Sequence, residues 1–185
     1  VFDEKRVFNA GPAPGPISFK GVRLGVPICE DIWTEETCET LAETGAEILL
    51  SPNGSPFEKN KDDVRLNLVV ARVTETGLPL AYLNQVGGQD ELVFDGASFV
   101  LNADRTLAWQ LPMFEEQIAL TEWRREADGW VCVPGEIVTV PENEEETWKA
   151  CVLGLRDYVL KNRFPGVVLG LSGGIDSAVV AAMAV

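Results

Sequence analysis

The chain has 185 residues, of which 46% are hydrophobic and 24% charged, and its formal net charge is −14. This composition is typical of a soluble globular protein, and the length allows one domain and part of a second. A strongly acidic surface repels phosphate backbones, so the charge argues against a nucleic-acid partner. No apolar run is long enough to span a bilayer, so we expect no membrane partner. The cysteines show no disulfide pattern, which favours a cytoplasmic location.

The cysteines are Cys29, Cys38, Cys132 and Cys151, and no two of them form a Cys-x-x-Cys pair. Uneven spacing without such a pair favours reduced thiols over a disulfide framework or a zinc site. The chain opens on Val1 and stops within a predicted helix. We therefore expect an internal segment of a longer protein.

Hydrophobic periodicity and turn residues predict an alternation of strands and helices along the chain. Strands are predicted at residues 17–28, 46–50, 78–83, 94–101, 106–111 and 167–171. Helices are predicted at residues 34–45, with Thr34 as N-cap, and at 62–76, 147–164 and 178–185. This alternation predicts an α/β layered domain. The acidic stretch at 141–146 is either a linker or the first turn of a helix.

Cys29 follows an apolar run, Val22 to Ile28, that predicts a buried strand. Parallel sheets present their chemistry at the carboxyl ends of strands, so Cys29 is expected at such an edge. A thiol needs a base or a positive neighbour to become a nucleophile at neutral pH. The chain contains no histidine, so that base would be a carboxylate or a lysine. Taken alone, the pattern also fits a buried cysteine that packs as a small apolar side chain.

A glycine-rich segment, Ser172-Gly173-Gly174-Ile175-Asp176-Ser177, stands between a predicted strand and a predicted helix. Two glycines let the backbone approach an anion closely, and the amides at a helix N-terminus then point at it. The segment lacks the Gly-Lys-Ser/Thr ending of a Walker A loop. The alternative is a plain helix cap after a glycine turn. The strand-to-helix context of all six residues favours a phosphate site.

Both segments resemble known enzyme modules. Ser172 to Ser177 is similar to the pyrophosphate loop of ATP-pyrophosphatases, which activate a carbonyl group by adenylation. Three other segments resemble the nitrilase-type glutaminase domain: Val26 to Trp33, Ser51 to Phe57, and Asn84 to Gly96. The glutamine-dependent NAD synthetase family carries both modules in this order.

The resemblance implies an α/β fold in two parts. Residues 1–140 would be the C-terminal part of a nitrilase-like αββα layered glutaminase domain. Residues 141–185 would hold a linker, a helix and the first strand-loop-helix of a Rossmann-like ATP-pyrophosphatase domain, the synthetase domain.

The resemblance also implies roles for individual residues. Cys29 would attack the amide carbon of glutamine and form a γ-glutamyl thioester, and Ser55 and Lys61 match the family's glutamine-binding positions. ATP binding is implied for Gly170, Leu171, Ser172, Gly173, Gly174, Ile175, Asp176 and Ser177. No side chains are implied as a dedicated metal site.

Two members of the family's catalytic set, a Glu and a Lys, correspond to positions ahead of Val1. The segment Phe2 to Arg6 matches the residues just after the family Lys, so Glu4 and Lys5 are given no catalytic role. Glu30 is interpreted as a carboxylate that orders the site. The remaining cysteines are interpreted as packed core residues.

The reaction implied by the resemblance is the ATP-dependent amidation of deamido-NAD to NAD with ammonia taken from glutamine. Its partners would be glutamine, ATP with Mg²⁺, and deamido-NAD, with no tightly bound organic cofactor and a homo-oligomeric state. The segment by itself is expected to be inactive. Two alternatives remain: another nitrilase-superfamily amidase joined to a nucleotide-binding domain, or a non-catalytic segment.

Overall fold

The computed structural model describes residues 6–9, 11–59 and 61–185. The strands in these ranges are β1 (Ile17–Phe19), β2 (Val22–Gly25), β3 (Ile48–Asn53), β4 (Leu80–Asn84), β5 (Val86–Gln89), β6 (Leu92–Asp95), β7 (Phe99–Leu101), β8 (Leu107–Gln110), β9 (Trp123–Glu126) and β10 (Gly129–Cys132). A 3₁₀ helix spans Cys29–Ile32, and the α-helices are α1 (Glu36–Glu43), α2 (Lys61–Thr76), α3 (Asn143–Lys161) and α4 (Ile175–Met183). Glu4 and Lys5, discussed above, lie outside the described residues.

Six strands form one mixed sheet in the order β1-β2-β3-β4-β7-β8. The neighbours β2, β3 and β4 are parallel, whereas β1 and the β7–β8 hairpin pair in antiparallel fashion. Parallel neighbours need crossover connections, which α1 and α2 supply. The carboxyl ends of β2, β3 and β4 therefore lie at one edge of the sheet, and Cys29 follows the first of them.

Helices α1 and α2 bury an apolar cluster against the large sheet. Its members share nearly complete burial and come from both helices, the 3₁₀ helix and three strands: Ile32, Cys38, Leu41, Ala46, Leu49, Val69, Val73, Leu80, Tyr82, Phe99 and Leu101. Burying one large apolar side chain contributes about 1.5–3 kcal/mol. Val69 and Val73, four residues apart, confirm the helical spacing predicted for α2.

Helix α3 packs against the separate hairpin formed by β5 and β6. A Cβ atom built on Gly88 would lie 3.0 Å from Gly154 Cα, so the two backbones approach closely. The Asp157 carboxylate accepts a 2.8 Å hydrogen bond from the Gly88 N–H, and Lys161 Nζ donates to the Gly88 carbonyl. The hairpin therefore fixes the helix that leads to the glycine-rich segment.

Two predicted boundaries near Cys29 are wrong. The strand predicted to Ile28 ends at Gly25, and Ile28 is exposed rather than buried. The helix predicted from Thr34 begins at Glu36, and its N-cap is Glu35. The chain therefore leaves the sheet three residues before Ile28 and reaches Cys29 through an irregular segment.

The strand predicted at 94–101 is also wrong, because it divides between two sheets. β6 ends at Asp95 and β7 begins at Phe99, and Gly96 between them has a φ of +74°. That left-handed conformation, which glycine adopts without strain, lets the chain change direction. The β5–β6 and β9–β10 hairpins are not anticipated by the sequence analysis.

The C-terminal part also differs from the prediction. The acidic stretch is the first turn of α3, where Glu144, Glu145 and Glu146 suit the positive end of the helix dipole. Among the described residues no strand forms at 167–171, and Val168 is fully exposed. A strand needs a neighbour for its backbone hydrogen bonds, and no described strand pairs with this segment. Within the described ranges, no helix combines the length and apolarity needed to cross a membrane.

Candidate active site

Cys29 opens the 3₁₀ helix beyond the carboxyl end of β2, and its thiol is partly exposed. Its backbone φ is +49°, a left-handed conformation that costs a non-glycine residue on the order of 1 kcal/mol. Strain of this kind persists only where the surroundings fix it. The first amides of a helix have no partners within it, so they are available to an anionic oxygen near the thiol.

Three contacts fix the turn that carries Cys29. Asp31 Oδ2 accepts a 2.8 Å hydrogen bond from the Ile28 N–H, and the Trp33 N–H donates to the Glu30 carbonyl at 2.9 Å. Arg72 Nη1 donates to the carbonyl of Ile32, the last residue of the turn, at 3.4 Å. Asp31 thus has the ordering role expected for Glu30, whose carboxylate forms no hydrogen bond within the described part of the chain.

Ser55 is buried in the loop that follows β3. Its N–H donates to Asn84 Oδ1 at 2.9 Å, and its hydroxyl oxygen accepts a 3.2 Å bond from Arg65 Nε. Two residues earlier, Asn53 Nδ2 donates to the Ser51 carbonyl at 2.7 Å, which tightens the end of the strand. Side chains from β4 and α2 therefore determine where this loop lies.

Lys61 is the first residue of α2, and its side chain is 18% exposed. Its ammonium lies 2.7 Å from Glu58 Oε1, and this hydrogen bond holds the pKa of the Glu58 carboxyl below its usual range. A carboxylate ligand at Lys61 would compete with Glu58. Replacing Glu58 by the ligand costs little free energy, because a partly exposed ion pair contributes at most about 1 kcal/mol.

Tyr82 is a buried residue of β4, and its ring stacks on that of Phe99 with a centroid distance of 5.1 Å. Burial raises its pKa to about 12, while the charge of Arg65 acts in the opposite direction. Cys29 follows β2 and Ser55 follows the parallel neighbour β3, so both residues lie at the same edge of the sheet.

Sequence reasoning missed the charged residues beneath this edge. Arg65 and Asp95 form a buried ion pair in which Nη1 and Oδ2 are 2.6 Å apart. Arg65 stands four residues before Val69 and therefore on the apolar face of α2, which is an unusual place for a charge. A charged residue on the apolar face of a predicted helix is the sequence signal that could have indicated a buried ion pair. Asp95 lies within a segment quoted for the family resemblance but received no role there.

The glycine-rich segment forms the turn expected of it. Gly173 has a φ of +88°, and Gly174 is the N-cap of α4 without a side-chain cap. Ser177 Oγ donates to the Gly174 carbonyl at 3.0 Å and lies 3.1 Å from Ser172 Oγ. A Cβ atom built on Gly173 would meet no heavy atom within 4 Å. Among the described residues, no hydrogen bond or ion pair joins this turn to Cys29 or Ser55.

The described residues contain no group of three or more potential ligands that would hold a metal ion on its own. Asp176, in the first turn of α4, is the carboxylate nearest to the glycine turn in sequence. Mg²⁺ is commonly bound by one or two carboxylates together with substrate phosphates. Asp176 is therefore a candidate ligand for a magnesium ion that accompanies ATP.

An apolar cavity of about 180 Å³ borders the large sheet near Leu83, Val100, Trp109 and Trp123. Neither Cys29 nor any of the other predicted site residues lines it. The cavity has few polar groups, so it offers little that would bind the polar head of an amino acid.

The remaining cysteines divide by burial. Cys38 and Cys132 are buried, as expected for packed core residues. Cys151 is exposed on α3, so its interpretation as a core residue is wrong. The helix face that carries it points away from the hairpin against which α3 packs.

Two family models match the chain. Residues 1–127 match the carbon-nitrogen hydrolase model, and residues 147–185 match the NAD synthase model. The first model covers the Cys29 turn, Ser55 and Lys61, and the second covers the glycine-rich turn. The order of the two modules agrees with the order expected from the sequence.

The chain is similar over its whole length to a glutamine-dependent NAD(+) synthetase from Rhodobacter capsulatus, with 54% identity, and covers 33% of that protein. Among solved structures, it resembles the Acinetobacter baumannii glutamine-dependent NAD+ synthetase in complex with adenosine diphosphate. That match has a TM-score of 0.89 and 40% identity, and covers 100% of this chain and 35% of that one. A carbon-nitrogen hydrolase from Helicobacter pylori matches at a TM-score of 0.56 and 27% identity, over 62% of this chain and 44% of that one. The chain thus spans about a third of the first two proteins, and these matches confirm the predicted fold class.

Proposed function

The chain belongs to the carbon-nitrogen hydrolase family, and from that premise we propose that it is part of an enzyme that makes NAD from deamido-NAD, ATP and glutamine. The single observation that carries the proposal is the pairing of two sites in one chain. A strained cysteine turn lies at a sheet edge, and a glycine turn opens a helix further along. The Rhodobacter capsulatus relative, named as an enzyme of this kind, supports it.

The first reaction in this proposal takes place at Cys29. Its sulfur attacks the side-chain amide carbon of glutamine, the carbon–nitrogen bond breaks, and ammonia leaves with the proton given up by the thiol. Water then hydrolyses the γ-glutamyl thioester to glutamate and restores the thiol. The family resemblance implies a catalytic Glu and Lys at positions ahead of Val1, and the proton is proposed to pass through that Glu carboxylate.

Ser55 and Lys61 are proposed to hold the amino-acid head of glutamine. Lys61 supplies a cation for its α-carboxylate, and Ser55 supplies a hydroxyl. Amides at the start of the 3₁₀ helix are proposed to stabilise the oxyanion that forms when sulfur attacks the carbonyl.

The second reaction is proposed at Gly170 to Ser177, where backbone amides of the glycine turn bind the phosphates of ATP. Support comes from the left-handed Gly173 and from the adenosine diphosphate complex of the similar Acinetobacter baumannii protein. With a net charge of −14, the chain needs such local donors to attract a polyanion. Asp176 would contribute to holding the Mg²⁺ that accompanies ATP. The carboxylate of deamido-NAD would take the adenylyl group of ATP and release pyrophosphate, and attack by ammonia would then form the amide of NAD and release AMP.

The division of the chain near residue 140 is likewise proposed. It is supported by the gap between the two matched family models and by α3, which begins at Asn143. Ammonia is proposed to travel between the sites through a channel, because free ammonia would be protonated and lost. The free thiols suit a reducing, cytoplasmic environment.

The test is Cys29→Ala in the full-length protein, assayed for NAD formation with glutamine and with ammonium chloride. We expect glutamine-driven synthesis to be lost and ammonia-driven synthesis to be retained, because only the release of nitrogen needs the thiol. Equal loss of both activities would overturn the assignment of Cys29. Hydrolysis of simple amides by the wild-type protein, with no NAD formed from either nitrogen source, would favour an amidase instead.

A further inference from the structure

The buried ion pair between Arg65 and Asp95 lies beneath Ser55. Both oxygens of Asp95 are engaged: Oδ2 lies 2.6 Å from Arg65 Nη1, and Oδ1 lies 2.9 Å from Arg65 Nη2. The two side chains are 5% and 2% exposed, so water does not screen the pair. This two-point geometry fixes the guanidinium plane.

The same guanidinium and Asn84 hold every backbone polar atom of Ser55. Arg65 Nη2 donates to the Ser55 carbonyl at 2.9 Å, and Asn84 Nδ2 donates to that carbonyl at 3.1 Å. Asn84 Oδ1 accepts the Ser55 N–H at 2.9 Å. Asn84 in turn donates to Asp95 Oδ1 at 3.3 Å, which closes the network. Ser55 therefore has no independent freedom of movement.

The network also sets the direction of the Ser55 hydroxyl. Arg65 Nε donates to Ser55 Oγ at 3.2 Å, and a guanidinium has only donors. The hydroxyl hydrogen therefore points away from Arg65, where it can be donated to an acceptor such as a ligand oxygen. Ser55 consequently presents a donor, and a donor is what a carboxylate or carbonyl oxygen of a ligand requires.

We propose that Arg65 and Asp95 are positioning residues that fix Ser55 as a hydrogen-bond donor to glutamine; this rests on the proposed glutamine site. A buried ion pair gives little net stability, because desolvation offsets much of its attraction. Arg65 donates three hydrogen bonds to this loop, to the Ser55 hydroxyl oxygen and to the carbonyls of Ser55 and Pro56. The pair thus links the glutamine-binding loop to α2 and β6.

The test measures glutamine-driven and ammonia-driven NAD synthesis by full-length Arg65→Lys. A lysine can keep the charge opposite Asp95 but cannot make the forked contacts to Ser55. We expect the KM for glutamine to rise by about tenfold or more, with a smaller change in kcat, because a charge-assisted hydrogen bond is lost. Ammonia-driven synthesis should be retained. Asp95→Asn, which preserves shape, should shift the KM in the same direction.

Val73→Ala is the matched control, since Val73 is fully buried on the same helix and makes no contact with Ser55 in the network above. It should lower the unfolding temperature while leaving the glutamine KM unchanged. The rate ratio of Cys29 labelling by a glutamine-shaped diazo-ketone and by iodoacetamide gives a second readout. If Ser55 is no longer held in place, labelling of Cys29 by the diazo-ketone should become slower, while labelling by iodoacetamide should keep its rate.

An unchanged glutamine KM and labelling ratio in both variants, with lower stability as in Val73→Ala, would overturn the proposal and leave the pair a structural one. Should Arg65→Lys fail to fold, Asp95→Asn decides by the same two readouts. Absence of glutamine use by the wild-type protein is a different result, because it would contradict the proposed function itself.

Discussion

The cysteines carry the same thiol group, and their surroundings determine how exposed and how reactive each thiol is. Cys29 lies partly exposed at a sheet edge, in a strained conformation fixed by Asp31 and Arg72. Cys38 and Cys132 are enclosed in the core, and burial raises the pKa of both thiols. Since the thiolate is the reactive form, burial protects these two from reaction.

Alkylation should therefore distinguish the cysteines. Treatment of the native protein with iodoacetamide at about pH 8 is expected to modify Cys29 and Cys151 well before Cys38 and Cys132. Peptide mass mapping over time checks the order. Unfolding in guanidinium should remove the difference, and early modification of Cys38 in the native protein would contradict the described burial.

Cys38 should also make stability depend on alkaline pH. Burial raises its pKa from 9.0 to about 11, so the folded protein binds this proton more tightly than the unfolded chain. The contribution is fully present below pH 9.0 and is lost as pH rises through about 11. As the pH rises between these limits, the unfolding free energy should fall in both proteins, and the fall in Cys38→Ala should be smaller by on the order of 2 kcal/mol. Urea unfolding at several pH values measures the two free energies. The same dependence of unfolding free energy on pH in both proteins would contradict the prediction.

How far the site could be predicted depends on the sequence separation of its contacts. Cys29 could be proposed from the sequence because its motif is contiguous. Arg65 and Asp95 were missed because they are 30 residues apart, and Ser55 and Asn84 are 29 apart, so no local pattern reveals either contact. Pairing of β3 with β4 brings Ser55 close to Asn84, and the packing of α2 and β6 around them brings in Arg65 and Asp95.

At the scale of elements, β3, β4 and β8 were predicted to within three residues of their bounds, whereas the β5–β6 hairpin was not anticipated. The β5 strand contains Gly87 and Gly88, which have little intrinsic preference for strands, yet packing against α3 holds it. The reverse error is the stretch from Val167 to Leu171, whose apolar composition predicts a strand. Composition gives the tendency to pair, but the described residues offer it no neighbour.

Gly88 should be intolerant of a side chain because of its contact with α3. An added Cβ would lie 3.0 Å from Gly154 Cα and 3.2 Å from Asp157 Cβ, so a helix backbone would have to move. Gly88→Ala is expected to lower the unfolding free energy by about 1–3 kcal/mol.

Gly15→Ala provides the control, since a Cβ at Gly15 meets nothing within 4 Å. Its unfolding free energy should stay within about 0.5 kcal/mol of the wild type. Denaturant titration of both variants makes the comparison. Equal stability of the two would show that α3 does not pack on the hairpin as described.

At the scale of the whole molecule, one acidic chain carries two candidate sites, one on a buried support and one in an exposed turn. Ser55, in the proposed glutamine site, has a rigid, buried support made of Arg65, Asp95 and Asn84. The glycine turn is open and is connected to the rest through α3, which Asp157 fixes to the hairpin. The order of the two modules was predictable because each has its own contiguous motif, whereas the hairpin contact between them was not.

The most direct test of the central claim is to add glutamine to the full-length protein, quench in acid within the first turnovers and map the modified peptides by mass. We expect a covalent adduct on the Cys29 peptide, with the mass of glutamine less ammonia, that disappears as glutamine is exhausted. Cys29→Ala should show no adduct. Consumption of glutamine without an adduct on Cys29, or with the adduct on another cysteine such as Cys151, would contradict the account.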